Sequence, residues 1–380
     1  MNHNGGESAV IVIDLQACFL PGGTLPTSNS KNTNGDNLVK NTTKFINDLN
    51  PNHLFISLDW HPEGHVSFIT DELRKNGKRS IVNEVTSTTS KNDSTTIVPD
   101  KYKDTKLIRR IWSDGQKDHT KQTLWPQHCI QNSEDSKVEL KFAENIKTLS
   151  KNINIQYVLK GFEKDVDSYS VVADAIGKPT PIIYNGTYEN LYDTNFKSDL
   201  TPTANNRFLF MLKKSDITNV YLTGIARNVC VFWSAMDLLQ FWILPAYFGI
   251  DGVNKKTIKL FFVYDLTRPV VAELFNAGLD ISKDKITENV KKLINDYKIK
   301  HKIVDSETTE SIFINIFEVN NHGELITVIE SLHLGGSRRN KNNNHNNHNH
   351  NKSRKTRKHK SRQFHNTKSR KTHKHKSKKY

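Results

Sequence analysis

Cys230 is the residue whose neighbours in the sequence most clearly predict chemistry. It follows a short apolar run, 220–223, and a turn at Gly224, and it opens the next apolar segment. This order is typical of a buried strand that turns into a helix, so the thiol is expected near backbone N–H groups and the positive end of the helix dipole, which favour the thiolate. An isolated cysteine is more often a small buried hydrophobe, so the nucleophile hypothesis depends on the rest of the chain.

A nucleophilic cysteine needs a base and a group that holds the developing oxyanion. Asp14 can accept the thiol proton, and Lys160 between Asp14 and Cys230 can balance their negative charge. Backbone N–H groups around Ala226 and Cys230 can form the oxyanion hole. Such a set suits attack on an unactivated carbonyl such as an amide. Asp14 would then give its proton to the departing amine and later activate water.

A second set of residues has the types that bind a divalent transition metal. Asp59 and His61 form an Asp-x-His pair directly after an apolar run, and His128 lies in a Trp-Pro-Gln-His sequence, with His65 as a candidate fourth ligand. Two imidazoles and one carboxylate suit Zn²⁺, Fe²⁺ or Mn²⁺ with positions open for water or substrate. The spacing alone is weak evidence, and histidines that only hydrogen-bond within loops are the alternative.

Five apolar runs predict the strands that position these residues. The runs cover 9–13, 54–58, 153–159, 217–223 and 258–264, and helical patterns separate them. This alternation predicts an α/β fold with right-handed βαβ units, a mostly parallel sheet and helices on both faces. Ligands bind such sheets outside the carboxyl ends of the strands, where Asp14, Asp59, Lys160 and the turn at Gly224 all fall. We therefore expect these residues to converge on one crevice.

The positive charge of the chain is concentrated at one end. Residues 337–380 hold 17 of the 55 Lys and Arg and none of the 40 Asp and Glu, so 38 basic residues face 40 acidic ones elsewhere. This division predicts a folded domain, 1–336, and a disordered tail, 337–380, rich in Lys, Arg, His and Asn. The tail is expected to bind nucleic acid or another polyanion, or to act as a nuclear localisation signal. Low-complexity sequence with no selected partner is the alternative.

Other features narrow the class of protein. Polar stretches near 70–121 and 175–205 predict surface insertions. Three cysteines at scattered positions do not indicate a disulfide framework, and residues 1–8 lack a signal-peptide pattern, so an intracellular, cytoplasmic location is expected. The apolar segment 229–250 contains Asp237, Gln240 and Pro245, which favours a buried core helix ending before Pro245 over a membrane span. The sequence leaves the oligomeric state open, a homo-oligomer included.

Together these segments resemble the isochorismatase-like cysteine hydrolases, and among them the nicotinamidase (pyrazinamidase) branch. The similarity runs in the family's order over roughly residues 9–271. The matching segments are 13–16 with Phe19 and 21–23, 59–62 with His65, 125–129, 160–162 with 167–170, 224–226 with Cys230 and Val231, and 265–268.

The resemblance implies a catalytic triad of Asp14, Lys160 and Cys230. It also implies a cis peptide at Ile225–Ala226, an arrangement that is costly without proline and that would turn the amide of Ala226 into the oxyanion hole. The implied reaction converts nicotinamide to nicotinate and ammonia through a thioester intermediate.

The resemblance further implies that Asp59, His61 and His128 bind a divalent metal whose role is to receive the pyridine nitrogen. Phe19 and Trp125 would pack on the aromatic ring of the substrate. The implied partner is thus a small amide, and no membrane is expected.

Two pairs of residues depart from the family's pattern. Ala17-Cys18 stands where the family usually has Asn-Asp, and Arg227-Asn228 replaces the usual Thr-Asp or Leu-Asp pair. Asparagine at the second position is similar to the ureidoacrylate amidohydrolase branch. The alternatives are therefore an amidase for another small amide, and a polyanion-binding protein with an inactive hydrolase domain.

Overall fold

The computed structural model describes residues 6–27, 36–70, 96–97, 122–149, 151–184, 188–192, 203, 205–270, 282–304 and 306–328. The chain splits into two compact units, Met1–His333 and Leu334–Tyr380, and all described residues belong to the first. The predicted tail and nearly all of the insertion predicted near 70–121 lie outside these residues, as does much of the stretch 175–205. The predicted domain boundary at 336 stays a prediction.

One mainly parallel sheet organises the described part of the chain. Its seven strands have the order β6-β5-β2-β1-β7-β8-β9, and only β6 at one edge pairs antiparallel. A separate two-stranded ladder pairs β3 with β4. The strands are β1 (Glu7–Ile13), β2 (His53–Asp59), β3 (Thr96–Ile97), β4 (Gln122–Thr123), β5 (Asn154–Lys160), β6 (Ile182–Tyr184), β7 (Ile217–Ile225), β8 (Lys259–Arg268) and β9 (Phe317–Asn320).

The central strand β1 is buried on both faces of the sheet. Its residues 9–13 are apolar and have no exposed surface, as expected for a strand that is covered on both faces. It lies between β2 and β7, and Ile13 pairs with Gly224. A Cβ atom at Gly224 would lie 2.1 Å from the Ile13 carbonyl oxygen, so only glycine fits where β1 and β7 approach.

Helices cover the two faces of this sheet. The chain leaves β1 toward β2 and β5 through α1 and α2, which contact each other, and then returns past β1 toward β7, β8 and β9. Right-handed crossovers in opposite directions place the two groups of helices on opposite faces, which confirms the predicted α/β architecture. The helices are α1 (Asp36–Leu49), α2 (Leu140–Ile146), α3 (Tyr188–Leu191), α4 (Phe208–Lys214), α5 (Arg227–Phe248), α6 (Lys283–Lys300) and α7 (Thr309–Ile316).

Helix α5 is the apolar segment for which the sequence predicted a core position. By length and composition it is the one described helix that could cross a membrane, but 89% of its most apolar window is buried inside the protein. The predicted end before Pro245 is wrong, since the helix continues to Phe248 and ends at Gly249 with φ 67°. A wider π turn over Leu239–Ile243 ends two residues before Pro245, and such a turn accommodates a residue that has no N–H.

Candidate active site and metal cluster

Lys160 lies at the centre of the charged groups that the sheet brings together. Its Nζ lies 2.8 Å from Asp14 Oδ2 and 2.9 Å from Asp59 Oδ1, and it donates a hydrogen bond to Cys230 Sγ at 3.6 Å. Lys160 and Asp14 have no exposed surface, and Cys230 and Asp59 are buried. The three strand ends and the start of α5 therefore meet in one place.

The register of the strands produces this meeting. Asp59, the last residue of β2, pairs with Lys160, the last residue of β5, while β1 runs between β2 and β7. Asp14 follows β1 directly, and its carboxylate accepts a hydrogen bond from the Ser57 hydroxyl at 2.5 Å. The Asp14 N–H donates to the same hydroxyl oxygen at 3.1 Å, so Ser57 fixes the carboxylate against the neighbouring strand.

Burial and mutual charge set the protonation of the cluster. Burial raises the pKa of the Cys230 thiol well above its usual value, with Lys160 opposing and Asp14 adding to the effect. Burial also raises the pKa of Asp14 against the opposing Lys160. Burial would lower the pKa of Lys160, but Asp14 and Asp59 raise it well above its usual range. Desolvation of the buried thiol thus opposes the thiolate that the start of the helix is expected to favour, whereas Lys160 stabilises it.

A second cluster meets on the other oxygen of Asp59. Its Oδ2 lies 3.1 Å from His61 Nε2 and 3.4 Å from His128 Nε2. The Nδ1 atoms point away, toward the Gly161 carbonyl at 2.8 Å and the Pro126 carbonyl at 2.7 Å. A carbonyl on Nδ1 orients an imidazole so that its Nε2 lone pair is available to a metal. The ligand atoms of Asp59, His61 and His128 lie within 4.8 Å of one another, so these residues fit a divalent ion.

Gly161, the residue after β5, leaves the space that this cluster needs. Its φ is +67°, and a Cβ atom there would lie 2.6 Å from His61 Cε1 and 2.9 Å from Asp59 Oδ1. Any side chain would therefore displace both groups. Lys160 thus provides the cation of the first cluster, and Gly161 leaves space for the side chains of the second.

His65 lies beside the metal cluster, and His61, His65 and Asp167 form a second group of possible ligands. Its Nδ1 is 2.7 Å from the Ser67 hydroxyl, while its buried Nε2 has no hydrogen-bond partner among the described residues. Burial and the nearby His61 lower the pKa of His65 to about 3, which keeps the imidazole neutral. Sequence reasoning assigned no role to Asp167, although it falls within a matching segment.

Cys230 lines the same pocket as Asp59, His61 and His128, whereas Asp14 and Lys160 lie behind it. Tyr169, to which the sequence analysis also assigned no role, forms part of the pocket wall. Its hydroxyl accepts hydrogen bonds from Trp125 Nε1 at 3.0 Å and Gln122 Nε2 at 3.1 Å. The two candidate substrate-binding residues, Phe19 and Trp125, lie in the wall. The pocket is lined by Phe19, Leu25, Asp59, His61, Trp125, His128, Asp167, Tyr169, Ala226, Val229, Cys230 and Val270.

The turn between β7 and α5 has the cis peptide that the resemblance implies, at Ile225–Ala226. Arg227 Nε donates to the Thr267 hydroxyl at 2.8 Å, and the guanidinium lies 3.8 Å from the Tyr264 ring centroid. Asn228 accepts a hydrogen bond from the N–H of Val270 at 3.0 Å, and Val270 lines the pocket. The residues at 227–228, which differ from the pattern of the resembled family, thus contact the end of β8 and the segment after it, which includes Val270 of the pocket wall.

A disulfide joins Cys18 and Cys129, which are 111 residues apart. The sequence did not indicate a disulfide, and that expectation is wrong for Cys18 and Cys129. Cys230 is the remaining free thiol. Cys18 lies in the loop after β1, and Cys129 in the loop that carries His128. Both loops lie at the same edge of the sheet, a proximity that the spacing in the sequence does not indicate.

Comparisons with known proteins give curated relatives, although no family model matches the chain. The nicotinamidase of Acinetobacter baylyi is 27% identical over 250 residues, which cover 64% of this chain and 82% of the relative. The nicotinamidase of Escherichia coli is 24% identical over 250 residues, covering 65% and 84%. A solved nicotinamidase/pyrazinamidase from Acinetobacter baumanii aligns with a TM-score of 0.44 and 19% identity, covering 85% of this chain and 100% of the other. The yeast nicotinamidase bound to the inhibitor nicotinaldehyde aligns with a TM-score of 0.42 and 21% identity, covering 76% and 96%.

Proposed function

We propose that the chain is an amide-cleaving hydrolase of the isochorismatase-like nicotinamidase family, and that its substrate is nicotinamide, which it converts to nicotinate and ammonia. One observation carries this proposal. The Cys230 thiol and the cluster of Asp59, His61 and His128 line the same pocket, and aromatic side chains enclose the space between them. A flat ring with a carboxamide at one side and a basic nitrogen at another matches that arrangement.

In the proposed first half-reaction, Asp14 takes the proton of Cys230 as the sulfur attacks the carboxamide carbon. The raised pKa of Asp14 suits this task, because a more basic carboxylate accepts a thiol proton more readily. Lys160 stays cationic beside both groups and offsets the charge of the thiolate. The backbone N–H groups of Ala226 and Cys230 hold the oxyanion of the tetrahedral intermediate.

Collapse of the intermediate breaks the carbon–nitrogen bond. Asp14 returns the proton to the leaving group, so that ammonia departs and a thioester remains on Cys230. Asp14, again ionised, then accepts a proton from water as the water attacks the thioester. Nicotinate leaves, and the thiol is restored.

Asp59, His61 and His128 would hold the divalent metal, of which Zn²⁺, Fe²⁺ and Mn²⁺ are the candidates, with His65 as a further ligand. A bound metal would supply a Lewis acid for the pyridine nitrogen, which would orient the ring. Phe19 and Trp125 pack on the two sides of the ring and exclude water. The carboxamide is then presented to Cys230.

A ureidoacrylate-like amide is the second candidate substrate, because Asn228 is similar to the residue of that branch. The contacts of Asn228 give it another role, since its side chain holds Val270 in the pocket wall. Nicotinamide is therefore the better match.

Ammonia release by the full chain tests the proposal. We expect kcat/KM for nicotinamide to exceed that for benzamide at least tenfold, because benzamide has the same shape without the ring nitrogen. Ureidoacrylate should be a poorer substrate than either. Equal rates for nicotinamide and benzamide would refute recognition of the ring nitrogen, and a preference for ureidoacrylate would replace the proposed substrate.

We also propose that the tail, 337–380, binds polyanions such as nucleic acid without sequence preference. The tail contains 17 Lys and Arg and no Asp or Glu, whereas the rest of the chain is close to neutral. Lysine-rich segments neutralise phosphates but do not recognise base edges. Amide hydrolysis would not depend on this tail.

A further inference from the structure

The disulfide between Cys18 and Cys129 joins two residues that stand directly beside the pocket wall. Cys18 precedes Phe19 and Cys129 follows His128, and both Phe19 and His128 line the pocket. The centroids of the Phe19 and His128 rings are 5.5 Å apart. The disulfide therefore links the two backbone segments that carry Phe19 and His128, whose rings meet in the pocket.

The loop that carries His128, residues 124–131, is fixed to the sheet by hydrogen bonds. The Cys129 carbonyl accepts from the His61 N–H at 3.1 Å, and the His61 carbonyl accepts from the Gln131 N–H at 2.8 Å. His61 itself follows β2 by two residues. The position of His128 is thus supported whether or not the disulfide is present.

The loop that carries Phe19, residues 18–27, is held differently. The Phe19 carbonyl accepts two hydrogen bonds from Thr27, from its N–H and its hydroxyl, each at 3.0 Å, so the loop folds back on itself. A hydrogen bond from the Thr24 hydroxyl to Asp135 connects it to a neighbouring exposed segment. The disulfide at Cys18 is the covalent attachment of this loop to the opposite wall of the pocket.

We propose that the Cys18–Cys129 disulfide is a redox-controlled brace that sets the position of Phe19 and hence the affinity for substrate. When formed, it holds the Phe19 ring against His128. When reduced, it frees the Phe19 loop while His128 stays on its hydrogen-bonded support. The identity of the substrate rests on the proposed function, whereas the movement of the loop does not.

The chemistry needs an external dithiol as reductant. Cys18 and Cys129 have no exposed surface, so the attack requires local opening of the loop. One thiolate of the dithiol then attacks a sulfur of the disulfide, the second thiolate resolves the mixed disulfide, and two protons complete the free thiols of Cys18 and Cys129. The dithiol is oxidised by two electrons to a cyclic disulfide. Cys18 and Cys129 act as positioning residues, since neither touches the reacting atoms and Cys230 remains the nucleophile.

Dithiothreitol treatment of the full, metal-loaded chain tests the proposal. Thiol counts after unfolding should rise from one per chain to three on reduction, and KM for nicotinamide should rise at least threefold while kcat changes less than twofold. Metal content should stay constant. Hydrogen exchange measured by mass spectrometry should accelerate in peptides from residues 18–27 and stay unchanged in peptides from residues 124–131.

Two variants make the test specific. The double variant Cys18→Ala, Cys129→Ala should have the raised KM without treatment and show no response to dithiothreitol. In Phe19→Leu, which keeps the disulfide but lacks the ring, reduction should change KM less than twofold. A reductant effect that persists in the double variant, or one that is undiminished in Phe19→Leu, would overturn the proposed role of Phe19.

The readouts separate this inference from the proposed function. If nicotinamide is not hydrolysed by any form of the chain, the proposed function fails, yet exchange in residues 18–27 still decides the brace. If nicotinamide is hydrolysed with the same KM before and after complete reduction, the brace is refuted and the function stands. A count of three thiols in the purified, untreated chain would also refute the brace.

Discussion

The two clusters that meet beside the pocket are built in different ways. The cluster proposed for catalysis (the catalytic cluster), Asp14, Lys160 and Cys230, stands on the ends of parallel strands and on the start of a helix, and Lys160 contacts both other members. The metal cluster, Asp59, His61 and His128, stands partly on loops, and carbonyl groups orient its imidazoles one at a time.

This difference predicts different consequences when each cluster is changed. In the catalytic cluster, the ionisation of every member depends on the others, so removal of one group should stop proton transfer and reduce kcat. In the metal cluster, each imidazole contributes one oriented lone pair, so removal should weaken binding and raise KM. The following experiments test this contrast, from the largest expected effect to the smallest.

Cys230→Ala should give the largest effect, a loss of about 10⁴-fold or more in kcat, because the nucleophile is gone. Metal content and melting temperature should stay close to those of the wild type, since alanine is smaller and apolar. Ammonia release and elemental analysis measure the two quantities. Substantial residual turnover in this variant would show that another group attacks the amide.

Asp14→Asn should lower kcat by about 10³-fold, because an amide cannot accept the thiol proton. The metal should be retained, since Asp14 faces Lys160 rather than the histidines. Asp174→Asn is a matched control, because Asp174 is also a buried carboxylate but hydrogen-bonds the backbone of its own loop. Near-normal kcat in Asp14→Asn would mean that the base lies elsewhere.

The double variant His61→Ala, His128→Ala should lose one equivalent of divalent metal per chain and raise KM for nicotinamide at least about tenfold. Elemental analysis gives the metal content, and initial rates give KM. Because the chain also carries histidines in its tail, the difference between variant and wild type is the quantity of interest.

His53→Ala is the control for that experiment. His53 begins the same strand, β2, and lies near Glu7 rather than the pocket. It should keep both the metal and the KM of the wild type. Full metal content in the double variant would place the ligands elsewhere and remove the distinction between the two clusters.

Deletion of 337–380 should have the smallest effect on the chemistry, with kcat/KM within about twofold of the full chain. Binding to nucleic acid should be lost at the same time, and binding by the full chain should fall steeply with salt. Filter-binding titrations of both proteins at two salt concentrations measure this. Equal affinity with and without the tail would place the polyanion site on the folded part of the chain.

Residues on strand ends were the part of the site that the sequence predicted best. Apolar runs mark the central strands, and parallel topology then brings Asp14, Asp59 and Lys160 to one edge without any further information. The five predicted strands correspond to β1, β2, β5, β7 and β8. The roles of the site residues stay predictions until the variants are measured.

Features that depend on contacts between distant loops were missed. The disulfide joins loops from separate parts of the chain, and Tyr169 enters the wall through hydrogen bonds from residues near 122–125. The short antiparallel β6 has only three residues, too few for a periodic signal. Helix α6 had a signal, since Ile286, Val290, Leu293 and Tyr297 recur every three or four residues and are buried.

Asp59 belongs to both clusters. One of its oxygens contacts Lys160 and the other faces His61 and His128, so one side chain contributes to the charge balance of one cluster and to the ligand geometry of the other. We therefore expect substitutions at 160 and at 61 or 128 to be energetically coupled through position 59, so that their effects on stability do not add.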